Sequence, residues 1–136
     1  MPLDLKTVEI VSNSRLVART WPNPVYVDGL YSLMQRVYMC LVTEPGDVED
    51  DPLYGGGLRS ALLGIPGQLR DRASDALTTV LDKVTKDLQA NPSPNPAERL
   101  RSLTLDSIEY DTDVAAWRCQ ITVSSAVDSA PFTVNA

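Results

Sequence analysis

The carboxylates Glu44, Asp47, Glu49, Asp50 and Asp51 crowd into one short stretch, the densest group of side chains here that could do chemistry. Two acids at a fixed separation could split a glycosidic bond, one as proton donor and one as base or nucleophile, with Glu44 and Glu98 as candidates. No cluster of aromatics surrounds the stretch to shape a sugar site, so a solvated acidic loop is the simpler reading. Calcium would need an Asp-x-Asp-x-Asp-Gly order and a later bidentate Glu, which this loop lacks. Gly55, Gly56 and Gly57 stand before an apolar helical pattern, as in a phosphate-cradling loop. No Lys-Ser or Lys-Thr pair follows them, and the acids upstream would repel phosphate. Close backbone approach explains these glycines better. The sequence contains no histidine, which excludes Ser-His-Asp and Cys-His arrangements. Cys40 and Cys119, without imidazole, cannot fill a tetrahedral zinc shell. Two buried, reduced thiols are a simpler reading than a disulfide. No catalytic, cofactor-binding or metal-ligating residue is expected, and no cofactor.

Those residues sit in a chain of 136 residues, 43% apolar and 22% charged, which suits one globular domain spanning 1–136. The net charge of -6, with scattered Lys and Arg, disfavours nucleic acid as a partner. Apolar runs are too short and too often interrupted by charge to span a bilayer. The start, Met-Pro-Leu-Asp-Leu-Lys, lacks a basic segment followed by an apolar one, so no signal peptide is expected and folding in a cytoplasm is.

The elements that would position the acids and glycines follow from periodicity. Thr7 to Val11 and Arg15 to Thr20 read as short strands joined by Ser12-Asn13-Ser14. Trp21-Pro22-Asn23-Pro24 breaks regular structure, and Val25 to Val27 is a short extended piece. Asp28 is placed to cap a helix whose Leu30, Leu33, Met34, Val37, Tyr38 and Leu41 share one stripe, with Gln35 and Arg36 facing away. Thr43-Glu44-Pro45-Gly46 stops it. Leu58 to Leu63 predicts a second helix. A third carries Leu69, Ala73, Ala76, Leu77, Val80, Leu81, Val84 and Leu88 on one face, with Asp82 and Lys86 spaced to pair. Prolines at 92, 94 and 96 make 91–96 an extended connector. Leu103 and Leu105, then Ile108 and Tyr110 one residue out of phase, predict a strand with a bulge near Asp106-Ser107. Asp111-Thr112-Asp113 turns it into Trp117, Cys119, Ile121 and Val123. The tail at 125–136 either joins the sheet edge or stays loose. The expected fold is α+β, in the order ββ-ααα-ββ, with helices on one small antiparallel sheet.

Taken together, Leu41-Val42-Thr43-Glu44-Pro45-Gly46 followed by Leu53-Tyr54-Gly55-Gly56-Gly57-Leu58 resembles the baseplate wedge and sheath-initiator family of contractile tails. Members include protein W of temperate myophages and a baseplate subunit of type VI secretion systems. The likeness covers about Val25 to Ser124, with Thr43, Pro45, Gly46, Tyr54, Gly55 and Leu58 as the family-motif turn. Where many members carry Glu-Pro-Arg, this sequence has Pro96-Ala97-Glu98-Arg99-Leu100, and the family's arginine before the tyrosine gives way to the Asp47 to Asp51 acids. The resemblance implies a structural protein of a virion baseplate, assembled in a bacterial cytoplasm, in about six copies per baseplate. Its partners would be sheath protein and baseplate wedge proteins near the tail tube. Glu98 and Arg99 become the candidate wedge contact. Trp117, Cys119, Ile121 and Val123 become the candidate sheath-binding hairpin, working by β-strand augmentation. The alternatives are a tail-associated carboxylate-dependent muralytic hydrolase and a tail-terminator or connector module.

Overall fold

The computed structural model describes residues 4–6, 8–11, 15–18 and 26–136. The readings made for Thr7, for the Ser12-Asn13-Ser14 turn and for residues 19–25 lie outside them. Short strands β1 (Asp4–Leu5), β2 (Val8–Val11), β3 (Arg15–Ala18) and β4 (Tyr26–Val27) come first. Helices α1 (Gly29–Val42), α2 (Leu58–Leu62) and α3 (Arg70–Gln89) follow, then a 3-10 turn at Pro96–Glu98. Strands β5 (Leu100–Asp111), β6 (Ala116–Ser125) and β7 (Ser129–Asn135) close the chain.

The fold is α+β, but the order ββ-ααα-ββ does not hold, because four strands rather than two precede the helices and three rather than two follow them. The later difference lies in the tail. Ser125 accepts the amides of Val127 and Asp128 on its hydroxyl and donates its own amide to the Asp128 carbonyl at 2.7 Å. That tight turn sends Ser129–Asn135 back along β6, where Phe132 faces Ile121 and Val134 faces Cys119. The tail is therefore an inner strand and not a loose end. The main sheet runs β2-β3-β7-β6-β5, and β1 pairs with β4 in a separate ladder. Because β3 and β7 run parallel, this sheet is mixed and not purely antiparallel.

The bulge falls where the slip in periodicity places it. The β5–β6 register shifts between Leu105 and Ser107, leaving Asp106 as the extra residue, and shifts again between Leu100 and Ser102. Each shift returns apolar side chains to the inner face, which a single unbroken period could not do.

The core lies between that inner face and the helices. From α1 it takes Leu33, Met34, Val37, Cys40 and Leu41, and from α3 Ala73, Leu77, Val80, Leu81 and Val84. Leu30, Tyr38, Ala76 and Leu88 pack at its margin, while Leu69 is exposed at the start of α3. Gln35 departs from expectation. It is buried and not turned to solvent, because the face of α1 covered by protein is wider than its apolar stripe. Asp28 holds the N-cap position without a side-chain cap, and only its carbonyl takes part, accepting Ser32 N–H at 3.4 Å. On α3 the ion pair is Lys83 with Asp87 at 2.5 Å, one residue along from the Asp82–Lys86 pairing that spacing alone suggested. No helix among the described residues is long and apolar enough to cross a membrane.

Candidate functional site

The glycines after the acidic loop lie against the C-terminal end of α1. Gly56 N–H donates to the Cys40 carbonyl at 2.8 Å, and Gly57 N–H to the Thr43 carbonyl at 3.0 Å. These are carbonyls that a helix end leaves without intrahelical partners. Such backbone-on-backbone contact leaves no room for a Cβ. One added at Gly55 would collide with Thr43 O, and one at Gly56 would lie 2.7 Å from a Val84 methyl. Gly55 and Gly57 also hold positive φ, 118° and 63°. The three residues thus tie α1, α3 and the start of α2 into one joint.

Polar side chains complete that joint. Glu44 accepts Ser60 Oγ at 2.8 Å and Ser60 N–H at 3.3 Å, so its carboxylate caps the first turn of α2. Thr43 Oγ1 donates to Met39 O at 2.5 Å, and Asp47 N–H closes the Glu44–Asp47 turn on the Glu44 carbonyl at 3.0 Å, with Pro45 and Gly46 between. Asp87 accepts Gly55 N–H at 3.1 Å, and Lys83, beside it, donates to the Leu53 carbonyl at 2.6 Å. Tyr54 packs against the core and shares a hydrogen bond with the Cys40 thiol. Burial pushes the Tyr54 hydroxyl well above its ordinary value, with the Cys40 hydrogen bond adding to it, and burial raises Cys40 as well. Leu58 is buried beneath the turn. The motif residues therefore meet in space, and what they accomplish is structural: joining helices.

Glu98 and Arg99 occupy a second position, at the end of the Pro-rich connector. Asn95 Oδ1 accepts Ala97 N–H at 3.2 Å, with Pro96 at the first position of the 3-10 turn. Asn-Pro-x-Glu is a capping pattern readable from sequence, and it is the local signal for this turn. Glu98 is buried, accepts Ser93 Oγ at 3.2 Å, and lies 3.5 Å from the Arg36 guanidinium on α1. Arg99 is exposed but bent back, donating from Nε to Ser93 O at 2.7 Å and from Nη2 to Pro94 O at 2.8 Å. Both residues clamp their own connector. Glu44 and Glu98 do not face one another: Glu44 lies beyond the C-terminal end of α1, whereas Glu98 sits beside Arg36, two turns back.

The candidate hairpin requires a correction. Trp117, Cys119, Ile121 and Val123 are all buried, between 0% and 3% exposed. Strand β6 lies between β5 and β7, so both of its backbone edges are paired and its apolar face is turned to the helices. Burial lifts the Cys119 thiol to about 12, as befits a sulfur with no polar surroundings. These four side chains are core and cannot meet a partner. The outer edge on this side of the sheet is β5, whose Thr104, Asp106 and Glu109 are exposed. Period-two alternation identified the strand's apolar face correctly but carried no information about which strand would be outermost.

Comparison of the chain with family models, curated proteins and solved structures found no match.

Proposed function

We propose that this chain is a non-enzymatic structural subunit of a contractile-tail baseplate, which joins wedge proteins and starts the first sheath ring by accepting a strand along β5. The observation that carries this reading is the pairing order of the sheet. A strand of 12 residues lies at its edge, next to β6, and α3 packs on it. Gln89, at the end of α3, donates to the Leu100 and Arg101 carbonyls at the start of β5, leaving Ser102–Asp111 as the stretch to receive a strand. An edge strand has amides and carbonyls that a neighbouring sheet satisfies, and its alternating side chains set register. The bulge at Asp106 divides β5 into Ser102–Leu105 and Ser107–Asp111, so an added strand must match one phase or change phase at the bulge. The motif turn supports the same reading through the resemblance alone. Its joint ties α1 and α2 to α3, and α3 backs β5.

Co-expression with the cognate sheath and tube proteins tests the proposal. Sheath should assemble around tube only when this chain is present, and Thr104→Lys with Glu109→Lys should suppress assembly without unfolding the chain. Normal sheath assembly in its absence would refute the initiating role. The muralytic alternative predicts peptidoglycan hydrolysis lost on Glu44→Gln or Glu98→Gln. Glu44, engaged in capping α2, and Glu98, buried on Arg36, have no shared cleft in which to act as a pair.

A further inference from the structure

Strand β5 carries one residue that the core does not need. Along β6 the step from Ile121 to Gln120 is a single residue, whereas the matching step on β5 runs from Leu105 to Ser107. Asp106 is the surplus. Leu103, Leu105, Ile108 and Tyr110 lie opposite Val123, Ile121, Cys119 and Trp117, all four of which are buried. Without Asp106 those β5 residues would fall at every second position, and all four pairs would keep their places. The shift at Arg101 has a use, since Gln89 of α3 donates to the Leu100 and Arg101 carbonyls. Asp106 has no such tie to a helix among the described residues. It is exposed, and its carboxylate accepts the Thr122 hydroxyl within the sheet itself.

What the surplus residue changes is the free edge. In a regular antiparallel strand every second residue turns both its N–H and its C=O to the same side. At Asp106 that alternation changes phase, so the outward groups of Ser102–Leu105 and Ser107–Asp111 are out of step. An exposed edge always meets one complementary surface, the same edge on another copy, because two identical antiparallel strands pair by two-fold symmetry. Two copies of β5 could pair along their whole length only if the change of phase fell at one place on both. That register sets Asp106 against Asp106 of the second copy, and like charges directly opposite destabilise a strand pair. Any other register is interrupted at the bulge after four or five residues.

We propose that Asp106 keeps two copies of this chain from joining edge to edge along β5, by breaking the phase of the strand and by its charge. A strand that is not a copy of β5 can carry its own extra residue without an acid opposite Asp106, so the edge stays open to a different partner. This goes beyond sheath initiation and does not rest on it, since self-pairing involves the chain alone.

The test uses the whole chain without other proteins. Deleting Asp106 should leave the fold intact, with β6 amides exchanging as slowly as in the parent. The deletion variant should dimerise at about 100 µM in sedimentation velocity, where the parent stays monomeric, with new exchange protection along β5. Asp106→Asn removes the charge and keeps the bulge, so it should dimerise at least about tenfold more weakly than the deletion. A deletion variant that unfolds overturns the proposal, because the core would then need Asp106. So does one that stays monomeric or dimerises without protecting β5. A parent that already dimerises through β5, or an Asp106→Asn variant that dimerises as tightly as the deletion, overturns it too.

Discussion

Gly55 shows how much of this molecule depends on one missing side chain. Its amide is held by Asp87, its φ is 118°, and the space a Cβ would take is filled by the Thr43 carbonyl. Gly55→Ala should therefore cost about 2 kcal/mol or more in urea unfolding, since strain and backbone collision add. An Ala variant as stable as the parent would show that the joint can shift freely. Cys119 supplies a second test at this scale. Its folded value of about 12 lies above the ordinary thiol value of 9.0, so above pH 9 the unfolded chain binds fewer protons than the folded one. This contribution is intact below pH 9 and is lost as pH rises from about 9 to about 12. Cys119→Ala should flatten that alkaline decline, measured as the slope of unfolding free energy against pH. The glycines' need for close approach was legible in sequence, because three in a row before a helix have few other uses. Their partners were not: nothing local ties Asp87 to Gly55, or Glu44 to Ser60, across the 32 and 16 residues that separate them.

Among the elements, the Pro-rich connector and β5 carry the most. The connector has an extended composition, yet it is held in one shape by Arg99 on two of its carbonyls and by Glu98 between Ser93 and Arg36. Arg99→Ala should lower global stability by less than about 1 kcal/mol while making residues 91–96 a site of fast proteolytic cleavage. Unchanged cleavage would mean that the two carbonyl bonds do not fix the connector. The same variant separates roles. If wedge incorporation falls while a Ser93→Ala variant with a similarly loosened connector incorporates normally, Arg99 meets a wedge protein directly. Helix stripes and the β5 bulge were readable because burial imposes its period on sequence. The third C-terminal strand is not legible in sequence, because Ala130, Phe132 and Val134 fit an edge strand and an extended tail equally until β6 and β3 are both beside it.

For the whole molecule, the outcome depends on which strand is outermost. Trp117, Cys119, Ile121 and Val123 alternate regularly because they belong to an inner strand whose apolar face is covered. The edge on this side, opposite β2, is β5, whose two register shifts and exposed polar residues make a weaker pattern. Recruitment by strand addition therefore predicts a change along β5 and none along β6. Backbone hydrogen–deuterium exchange, measured on the chain alone and with its cognate sheath protein, tests this directly. New protection is expected at amides within Ser102–Leu105 or Ser107–Asp111, with β6 amides already slow and unchanged. Protection elsewhere with β5 amides exchanging as in the free chain would contradict it.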